Sequence, residues 1–404
     1  MDTAPGPDGI HYQMIKHLSP DAKEYLLSLY NRIWMEGVIP RDWKEATVLP
    51  ILKPGKDPTD SSSYRPIALT SCLCKVLERM INTRLVWQLE SSGILAPSQC
   101  GFRRNRSAVD HLVVLESAIR EAFAKKQHLV AVFFDLEKAY DTTWRYGILR
   151  NLASYGFRGR LPLFLVNFLS ERTFRVRVGS CLSDRQVQEA GVPQGSVLSV
   201  TLFAIAINGI AQSVSLPNSM FVDDFALWAR SQHLRSCERQ MQLAINSACS
   251  WVGANGFRFS ATKTVCVHFS RLRGLNVDPE LRLGREPIPV APQARFLGLL
   301  FDNRLTWVPH LRQLKDKCFR AMNILRVLSG SSWGADRTVL LRLYRALIRS
   351  KLDYGCQAYS SASATSLKML DSVHNEGIRL ATGAFRTSPV VSLGVEAAEP
   401  PLSL

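Results

Sequence analysis

The chain has 404 residues, of which 46% are hydrophobic and 21% are charged, a composition that is typical of a globular protein and excludes a largely disordered one. The 50 lysines and arginines outnumber the 34 aspartates and glutamates, and the net charge of +16 favours nucleic acid as a partner over an anionic membrane. The segment MDTAPGPDGI at residues 1–10 lacks a basic region followed by an apolar core, so we expect an intracellular protein of the cytoplasm and nucleus that is not secreted.

Two further classes of function have little support in the sequence. Residues 191–222 carry no formal charge, but prolines, asparagines and glutamines interrupt them, and a bilayer span requires roughly 20 predominantly apolar residues. We therefore expect no membrane partner. The nine cysteines include no Cys-x-x-Cys pair and no Cys/His ladder, which indicates free thiols in a reducing compartment and no zinc site.

The amino-terminal part of the chain alternates loops with helical patterns. Residues 1–60 are rich in proline and glycine and contain one helical pattern, at 18–34. Apolar residues at helical spacing predict two further helices, over 67–89 and 109–123. Between these two helices lies a basic segment at 101–107, which contains three arginines.

The middle of the chain predicts a central strand. The run LVAVFF at 129–134 is too short for a buried helix and favours a strand that ends at Asp135. Helical patterns follow at 139 and 144–152, and alternation over 172–178 predicts a strand with a basic face. The sequence Gly-Val-Pro-Gln-Gly at 191–195 is typical of a turn that opens a helix, which we expect to extend to about Gly209.

The tetrapeptide Phe221-Val222-Asp223-Asp224 lies between apolar runs that favour two short strands, so its acids are expected at the turn of a hairpin. Paired aspartates at a turn often only cap or solvate a loop. A compact sheet could bring them to Asp135, however, and three carboxylates suit two Mg²⁺ ions about 3.5–4 Å apart, as in phosphoryl transfer to a primer 3′-hydroxyl.

The carboxyl-terminal part reads as mainly helical and basic. A helix is predicted over 234–253, a strand over 264–269 and a short apolar segment over 296–301. Helical stripes dominate the rest of the chain. Between Arg304 and Lys351, 11 residues are basic and two are acidic, an excess larger than solubility requires.

Seven motifs, in one order along most of the chain, resemble the reverse transcriptase domain of non-LTR (LINE-type) retrotransposons, including the Jockey-like clades. They are Tyr64-Arg65-Pro66-Ile67, Gly101-Phe102-Arg103, Phe134-Asp135-Leu136-Glu137-Lys138-Ala139-Tyr140-Asp141, Gly191-Val192-Pro193-Gln194-Gly195-Ser196, Phe221-Val222-Asp223-Asp224, Lys263 and Phe296-Leu297-Gly298. Each motif alone is modest, but the shared order and approximate spacing make coincidence improbable.

The resemblance implies an α+β fold, a right-hand polymerase with fingers, a mixed α/β palm and a helical thumb. The palm would be an antiparallel sheet with helices on one side. The implied domains are fingers at 1–128, a palm at 129–300 with a further fingers segment at about 145–190, a thumb at 301–360 and a helical extension at 361–404, which is expected to be truncated.

The resemblance also implies a metal site. Asp135, Asp223 and Asp224 would bind two Mg²⁺ ions, with Mn²⁺ as a possible substitute, and Lys263 would protonate the leaving pyrophosphate. The alternative interpretation is that Lys263 is an ordinary surface lysine without a role in the reaction. Glu137 and Asp141 are left out of the metal site, because a strand-to-helix transition would turn their side chains away from the strand end.

The incoming deoxynucleoside triphosphate would meet a second group of residues, which is Lys53, Arg65, Tyr140, Gln194 and Gly195. Lys53 and Arg65 would bind the triphosphate, and the ring of Tyr140 would crowd a ribose 2′-hydroxyl. Gln194 and Gly195 would line the nucleotide pocket, the glycine by permitting close backbone approach. The structural alternatives are that Tyr140 is a core residue beside a strand and that Gly195 is a turn glycine that opens a helix.

The RNA template and the DNA primer would meet a third group of residues, which is Arg103, Arg104, Arg106, Phe296, Leu297 and Gly298. The arginines would contact template phosphates independently of sequence. Phe296–Gly298 resemble a primer grip, although a plain hydrophobic strand is equally compatible with these residues. The sequence leaves the oligomeric state open.

Some features depart from the family pattern. Val200 replaces the usual proline, which bears on the helix start but touches no reacting group. Phe221 replaces the more familiar tyrosine, a substitution that the family tolerates. No endonuclease or RNase H domain is visible, so we expect a fragment or decayed copy of a longer polyprotein. The favoured function is RNA-directed DNA polymerase. A polymerase-like nucleic-acid-binding protein without catalysis is the alternative, and a group II intron or telomerase-type polymerase is the third interpretation.

Overall fold

A computed structural model describes residues 4–272, 277–330 and 333–402. It contains runs of helices and runs of strands, with mixed sheets, which confirms the α+β class. The α-helices are α1 (Tyr12–Lys16), α2 (Pro20–Glu36), α3 (Cys72–Ser91), α4 (Ala108–Ala124), α5 (Ala139–Thr142), α6 (Arg145–Ser154), α7 (Arg160–Leu169), α8 (Val197–Gln212), α9 (Leu234–Ala254), α10 (Val308–Leu328), α11 (Arg337–Tyr344), α12 (Ser350–Asp353), α13 (Cys356–Tyr359), α14 (Ala364–Thr382) and α15 (Val390–Ala397). Short 3₁₀ segments cover Arg41–Lys44 and Ser61–Ser63, and a π-helical segment, Arg345–Arg349, links α11 to α12.

The strands form two larger sheets and two hairpins. They are β1 (Glu45–Leu52), β2 (Tyr64–Leu69), β3 (His128–Asp135), β4 (Thr173–Val178), β5 (Cys181–Leu182), β6 (Gln186–Val187), β7 (Asn218–Phe221), β8 (Asp224–Ser231), β9 (Val265–Phe269), β10 (Arg282–Leu283), β11 (Glu286–Pro287), β12 (Gln293–Phe296) and β13 (Leu299–Asp302). One sheet has the order β2-β1-β4-β5, with β6 also paired to β4, and the other has the order β7-β8-β3-β9.

The chain divides into two compact units. Unit 1 comprises the described residues of 1–104, 135–215 and 244–260, and unit 2 those of 105–134, 216–243 and 261–404. The division into fingers, palm and thumb stays a prediction. No helix in the described part of the chain is both long and apolar enough to cross a membrane.

The first sheet belongs to unit 1. β1 pairs with β2 in antiparallel fashion, with Val48 opposite Ala68, and with β4 in parallel fashion, with Thr47 opposite Arg175. This pairing makes the predicted helix over 67–89 wrong at its start, because residues 67–69 complete β2. The helix begins only at Cys72, where the Ser71 hydroxyl accepts a 3.4 Å hydrogen bond from the Cys74 N–H.

The second sheet organises unit 2. All of β3 except its last residue is buried, as expected for a central strand without polar alternation. β3 pairs with β9 in antiparallel fashion, with Val130 opposite His268. The apolar faces of α10, α11 and α14 meet in a core that includes the fully buried Trp307 and Tyr344. Burial of these large side chains is the main contribution that holds unit 2 together.

The apolar run over 296–301 forms two strands and a turn. Phe296 ends β12 and Leu299 begins β13, and these two residues face each other across the hairpin. Leu297 and Gly298 make the turn with φ angles of 45° and 86°. Positive φ is easy for glycine and strained for leucine, so the reversal relies on Gly298 and on contacts that hold Leu297.

Candidate active site

The acidic pair occupies the tip of a two-residue hairpin, as the sequence predicts. Phe221 ends β7 and faces Asp224, the first residue of β8. Val222 and Asp223 form the turn, and Val222 has a φ of 61°. A β-branched residue at positive φ is strained, and such strain is found where surrounding structure fixes the backbone for a function. Both aspartate side chains are exposed.

Asp135 ends the strand next to the acidic hairpin in the sheet. In the order β7-β8-β3-β9, the strand that ends at Asp135 neighbours the strand that begins at Asp224. The chain then continues in unit 1. There the backbone oxygen of Asp135 accepts a 2.8 Å hydrogen bond from Ser260 N–H, and Leu136 forms an isolated antiparallel β-bridge with Phe259. A left-handed Lys138, with φ of 45°, precedes α5.

The chemistry of these donors suits a hard cation. Three carboxylates are the ligands that Mg²⁺ prefers, and Mg²⁺ takes few protein ligands because it keeps several waters. Among the described residues, no group of three or more His, Cys, Asp or Glu side chains is arranged to hold a metal ion. The chemistry of the three donors therefore fits Mg²⁺.

Tyr354 is a residue of this region that sequence reasoning missed. Its hydroxyl donates a 2.8 Å hydrogen bond to the Leu297 backbone oxygen. Burial, followed by the negative charge of Asp224, raises the pKa of Tyr354. A methyl group added at Gly298 would lie 3.1 Å from the tyrosine ring. In unit 2, Tyr354 thus brings the Phe296–Gly298 turn and Asp224 together, and no motif or periodicity marks it.

A cluster of cations lies beside the same turn. Arg295 donates a 3.1 Å hydrogen bond to the Gly298 oxygen and another to the Gln313 side chain. Burial, together with the positive charges of Arg295, Arg320 and Lys351, lowers the pKa of Lys317. The three neighbouring positive charges repel the charge of Lys317, and an anion placed beside Lys317 would relieve that repulsion. We call Arg295, Lys317, Arg320 and Lys351 the cation cluster.

The loop at 191–196 lies in unit 1, held against α5 and β2. The Gly191 and Val192 N–H groups donate to the oxygens of Thr143 (3.1 Å) and Tyr140 (3.0 Å). On the β2 side, Ala68 N–H donates a 3.1 Å hydrogen bond to the backbone oxygen of Gln194. The backbone of the predicted pocket residue Gln194 is therefore tied to the strand that carries Arg65.

Gly195 has no room for a side chain. Its φ is 110°, and a Cβ at this position would collide with the Ala68 backbone oxygen. Glycine is thus required both by conformation and by the close approach of two backbones. The Tyr140 ring stacks on Phe203 of α8, with ring centroids 4.6 Å apart and planes inclined by 20°. The structure therefore groups Tyr140, Gln194 and Gly195 in unit 1.

Two carboxylates that sequence reasoning did not assign also hold this loop. The Gln194 side-chain amide donates a 3.0 Å hydrogen bond to Asp141 Oδ1. Glu78 of α3, which is 1% exposed, accepts a 3.0 Å hydrogen bond from Leu198 N–H and another from the Ser196 hydroxyl. Glu78 thereby satisfies the N-terminus of α8, where a negative charge is favoured. Its position within a helical pattern gives no sequence signal for this role.

The remaining predicted nucleotide and catalytic residues are more dispersed. Arg65 is exposed on β2, three residues before Ala68. Lys53 is half-buried and donates a 2.8 Å hydrogen bond to the Ser62 oxygen. Lys263 is exposed in the turn before β9. Their predicted roles in binding triphosphate and protonating pyrophosphate stay predictions.

The three arginines predicted to contact template differ in environment. Arg103 is committed to the fold, because its guanidinium pairs with both oxygens of Glu90 (2.7 and 2.5 Å) and donates to the backbone oxygens of Ala96 and Gln99. Its side chain is 9% exposed. Arg104 and Arg106 are exposed. The geometry favours a structural role for Arg103, and template contacts by Arg104 and Arg106 stay predictions.

A cavity of about 400 Å³ in unit 1, lined by Tyr30, Trp34 and Arg84 among others, contains none of the predicted site residues. An apolar cavity does not by itself mark a reaction centre, and the chemistry-bearing side chains lie elsewhere. We therefore describe the candidate residues by unit, which are the loop at 191–196 in unit 1 and the Asp223–Asp224 hairpin and the turn at 296–298 in unit 2.

Comparison with known proteins gives consistent similarities. The family model described as reverse transcriptase (RNA-dependent DNA polymerase) matches residues 51–301. A probable RNA-directed DNA polymerase from transposon BS of Drosophila melanogaster is 30% identical, over 94% of this chain and 43% of its own length. The RNA-directed DNA polymerase from mobile element jockey of the same organism is 28% identical, over 94% and 42%.

The chain thus spans less than half the length of these curated relatives. Among solved structures, an apo telomerase from Candida tropicalis has a TM-score of 0.49 and 12% identity, covering 90% of this chain and 63% of that one. The relatives confirm the resemblance to non-LTR retrotransposon enzymes that the seven motifs indicate. Because the family model matches more than half of its residues, the chain belongs to the reverse transcriptase family.

Proposed function

We propose that this chain is an RNA-directed DNA polymerase that adds deoxynucleotides to a primer 3′-hydroxyl, as part of a non-LTR retrotransposon protein. The observation that carries the proposal is the sheet order. The strand that ends at Asp135 and the strand that begins at Asp224 are neighbours, within a chain of the reverse transcriptase family. Carboxylates at the ends of adjacent strands are suited to nucleotidyl transfer.

Asp135, Asp223 and Asp224 would hold two Mg²⁺ ions, for which Mn²⁺ could substitute. When bound, the ions supply positive charge that lowers the pKa of the primer hydroxyl and stabilises the leaving pyrophosphate. The exposed Asp223 and Asp224 side chains can reorient toward a cation without breaking the core. Lys263, in the turn before β9, would give a proton to pyrophosphate.

The nucleotide would lie against the loop at 191–196. Tyr140, held by its stacking on Phe203, would crowd a ribose 2′-hydroxyl and so favour deoxynucleotides. Gln194 and Gly195 would line the base and sugar. Arg65, on the strand bonded to Gln194, would bind the triphosphate through its fork of donors, with Lys53 as a point charge.

The nucleic acid would be held largely by phosphate contacts. The cation cluster lies next to the Phe296–Gly298 turn, where the primer end is expected, and offers positive charge that the fold does not neutralise with a nearby acid among the described contacts. Arg104 and Arg106 would contact the template. Phosphate contacts position a strand without reading its sequence, as a polymerase requires.

A second candidate function is nucleic-acid binding without catalysis. It is favoured by the net charge of +16, which suits a polyanionic partner whether or not transfer takes place. The cation cluster would act in the same way in both cases. The two functions differ only in whether the three aspartates still support transfer.

Primer extension decides between them. Purified protein is incubated with an RNA template, an annealed DNA primer and deoxynucleotides, with Mg²⁺ and in parallel with Mn²⁺. We expect extension by the unaltered chain and at least a 100-fold loss, roughly the scale of losing one transition-state charge contact, in Asp223→Ala. Asp184→Asn, an exposed acid in a loop of unit 1, is the control that should extend normally. Binding without extension in either metal would favour the second candidate.

A further inference from the structure

Asp141 is a carboxylate with no assigned part in the reaction. It lies in the short helix α5, and its side chain is exposed. Its Oδ1 accepts a 3.0 Å hydrogen bond from the side-chain nitrogen of Gln194, which is 53 residues further along the chain. A contact between such distant residues is made by the tertiary fold and not by local helix geometry.

The backbone around Gln194 is fixed without any help from Asp141. Ala68 N–H donates a 3.1 Å hydrogen bond to the backbone oxygen of Gln194, and Val192 N–H donates a 3.0 Å hydrogen bond to the backbone oxygen of Tyr140. Beyond Gly195, the buried carboxylate of Glu78 accepts from Ser196 and from Leu198. Both ends of the loop are therefore anchored before the side chain of Gln194 is considered.

The side chain of Gln194 retains three rotatable bonds, and an unrestrained glutamine would populate several rotamers at a cost in entropy when one is required. Asp141 removes that freedom. Because a carboxylate only accepts hydrogen bonds, Gln194 must turn its NH₂ group toward Asp141. The contact with Asp141 thus uses one N–H of the Gln194 side-chain amide. The amide oxygen and the second N–H are then left for a ligand.

We propose that Asp141 is a positioning residue that acts through Gln194, holding its amide in the orientation that receives the incoming deoxynucleotide. This inference rests on the proposed polymerase function and assigns Asp141 no metal. It predicts that the property which matters at position 141 is a hydrogen-bond acceptor and not a negative charge. Asparagine offers such an acceptor and alanine does not.

The test is steady-state primer extension by the full chain with Asp141→Asn and Asp141→Ala, measured as a function of nucleotide concentration. For Asp141→Ala we expect the KM for nucleotide to rise about 10-fold, the scale of one hydrogen bond to a charged group, with kcat reduced less. For Asp141→Asn we expect values within about 3-fold of the unaltered chain, since the acceptor is retained. Asp184→Asn controls for the removal of one negative charge from a basic protein.

A double-mutant cycle shows whether the effect passes through Gln194. If it does, adding Asp141→Ala to Gln194→Ala causes no further rise in KM, because the amide to be oriented is already gone. Additive effects of the two substitutions would overturn the inference. An equal loss in Asp141→Asn and Asp141→Ala, accompanied by a higher Mg²⁺ requirement, would also overturn it in favour of a metal ligand.

Two outcomes separate this inference from the proposed function. No extension by the unaltered chain with either metal contradicts the proposed function and removes this inference with it. Extension by the unaltered chain with a normal nucleotide KM in Asp141→Ala contradicts this inference alone. Thermal melting of each variant identifies loss of folding. If the alanine variant is unstable, Gln194→Glu breaks the contact from the other side, because two carboxylates cannot donate to each other. Its nucleotide KM should rise about 10-fold, and adding Asp141→Asn, which supplies a donor, should restore part of that loss, whereas no restoration would overturn the inference.

Discussion

The Tyr354 hydroxyl donates a 2.8 Å hydrogen bond to the backbone oxygen of Leu297, at a turn where leucine has a φ of 45°. Asp224 is near enough for its charge to raise the pKa of the same hydroxyl, after the larger effect of burial. One tyrosine beyond α12 therefore stabilises a strained turn and lies beside a predicted metal ligand. This links the helical part of unit 2 to the expected position of the primer end.

Tyr354→Phe should weaken this link while preserving the ring that packs on Gly298. A neutral hydrogen bond contributes roughly 0.5–1.5 kcal/mol, so we expect primer extension to fall about 2- to 10-fold with little change in melting temperature. Tyr25→Phe, which alters a tyrosine that is 81% exposed, is the matched control. Equal extension rates in the two variants would show that the Leu297 contact has no role in catalysis.

Gly195→Ala should impair nucleotide use, because the new methyl group would collide with the Ala68 backbone oxygen and the φ of 110° is strained for alanine. Separation of the loop from β2 should reduce extension by 10-fold or more, since displacements of about 1 Å near the reaction centre can cost 100-fold in rate. Gly253→Ala in α9 should be neutral or slightly stabilising, because a Cβ added there would meet no atom within 4 Å outside the backbone of its own helix. Normal extension by Gly195→Ala would refute the close approach.

Tyr140→Val should admit ribonucleotides, because it removes the ring that is predicted to crowd a 2′-hydroxyl. The measurement is the ratio of kcat/KM for a deoxynucleotide and the matching ribonucleotide. Tyr140→Phe retains the ring stacked on Phe203 and should keep the original preference. Unchanged sugar discrimination in the valine variant would reject Tyr140 as the gate.

Primer–template affinity should depend steeply on salt, because phosphate neutralisation releases counterions, with a slope of about −0.9 per contact on B-form DNA. Lys317→Ala removes the central member of the cation cluster and should reduce the slope of log K against log salt by about 1. Lys368→Ala, an exposed lysine of α14, should leave the slope unchanged. An identical slope in both variants would exclude the cation cluster from the phosphate contacts.

Stability should fall between pH 6.5 and about pH 4.5. Burial lowers the pKa of five histidines in unit 2, which are His111, His128, His268, His310 and His374, and brings that of His310 to about 4. The unfolded chain then binds more protons than the folded chain in this window, so stability is complete above pH 6.5 and decreases as pH falls.

His310 alone should account for about 1 kcal/mol of that loss at pH 5.5, from its lowered pKa and an ordinary value near 6.5. Urea midpoints at pH 7.5 and 5.5 measure the effect, above the range where most carboxylates titrate. His310→Gln should reduce the difference between the two midpoints, even if it lowers both. A pH-independent midpoint between 7.5 and 5.5 would contradict the burial of these histidines as neutral groups.

Elements that depend on local patterns could be predicted from the amino-acid sequence. The continuous apolar run of β3 fixed a buried strand that ends at Asp135, and the apolar runs around Asp223 and Asp224 predicted the hairpin with its acids at the turn. The seven ordered motifs predicted the family. These features could be predicted because periodicity, turn chemistry and motif spacing are properties of neighbouring residues.

Contacts between residues that are distant in the sequence could not be predicted and are seen in the folded chain. Residues 67–69 look helical by spacing but form a strand edge, because pairing with β1 outweighs local propensity. The contacts of Asp141 with Gln194, Glu78 with the start of α8, and Tyr354 with Leu297 join residues that no pattern connects. A hydrogen bond between remote residues depends on how the chain packs as a whole, and this is why the sequence supplied the candidate reacting groups while the fold supplied the residues that hold them.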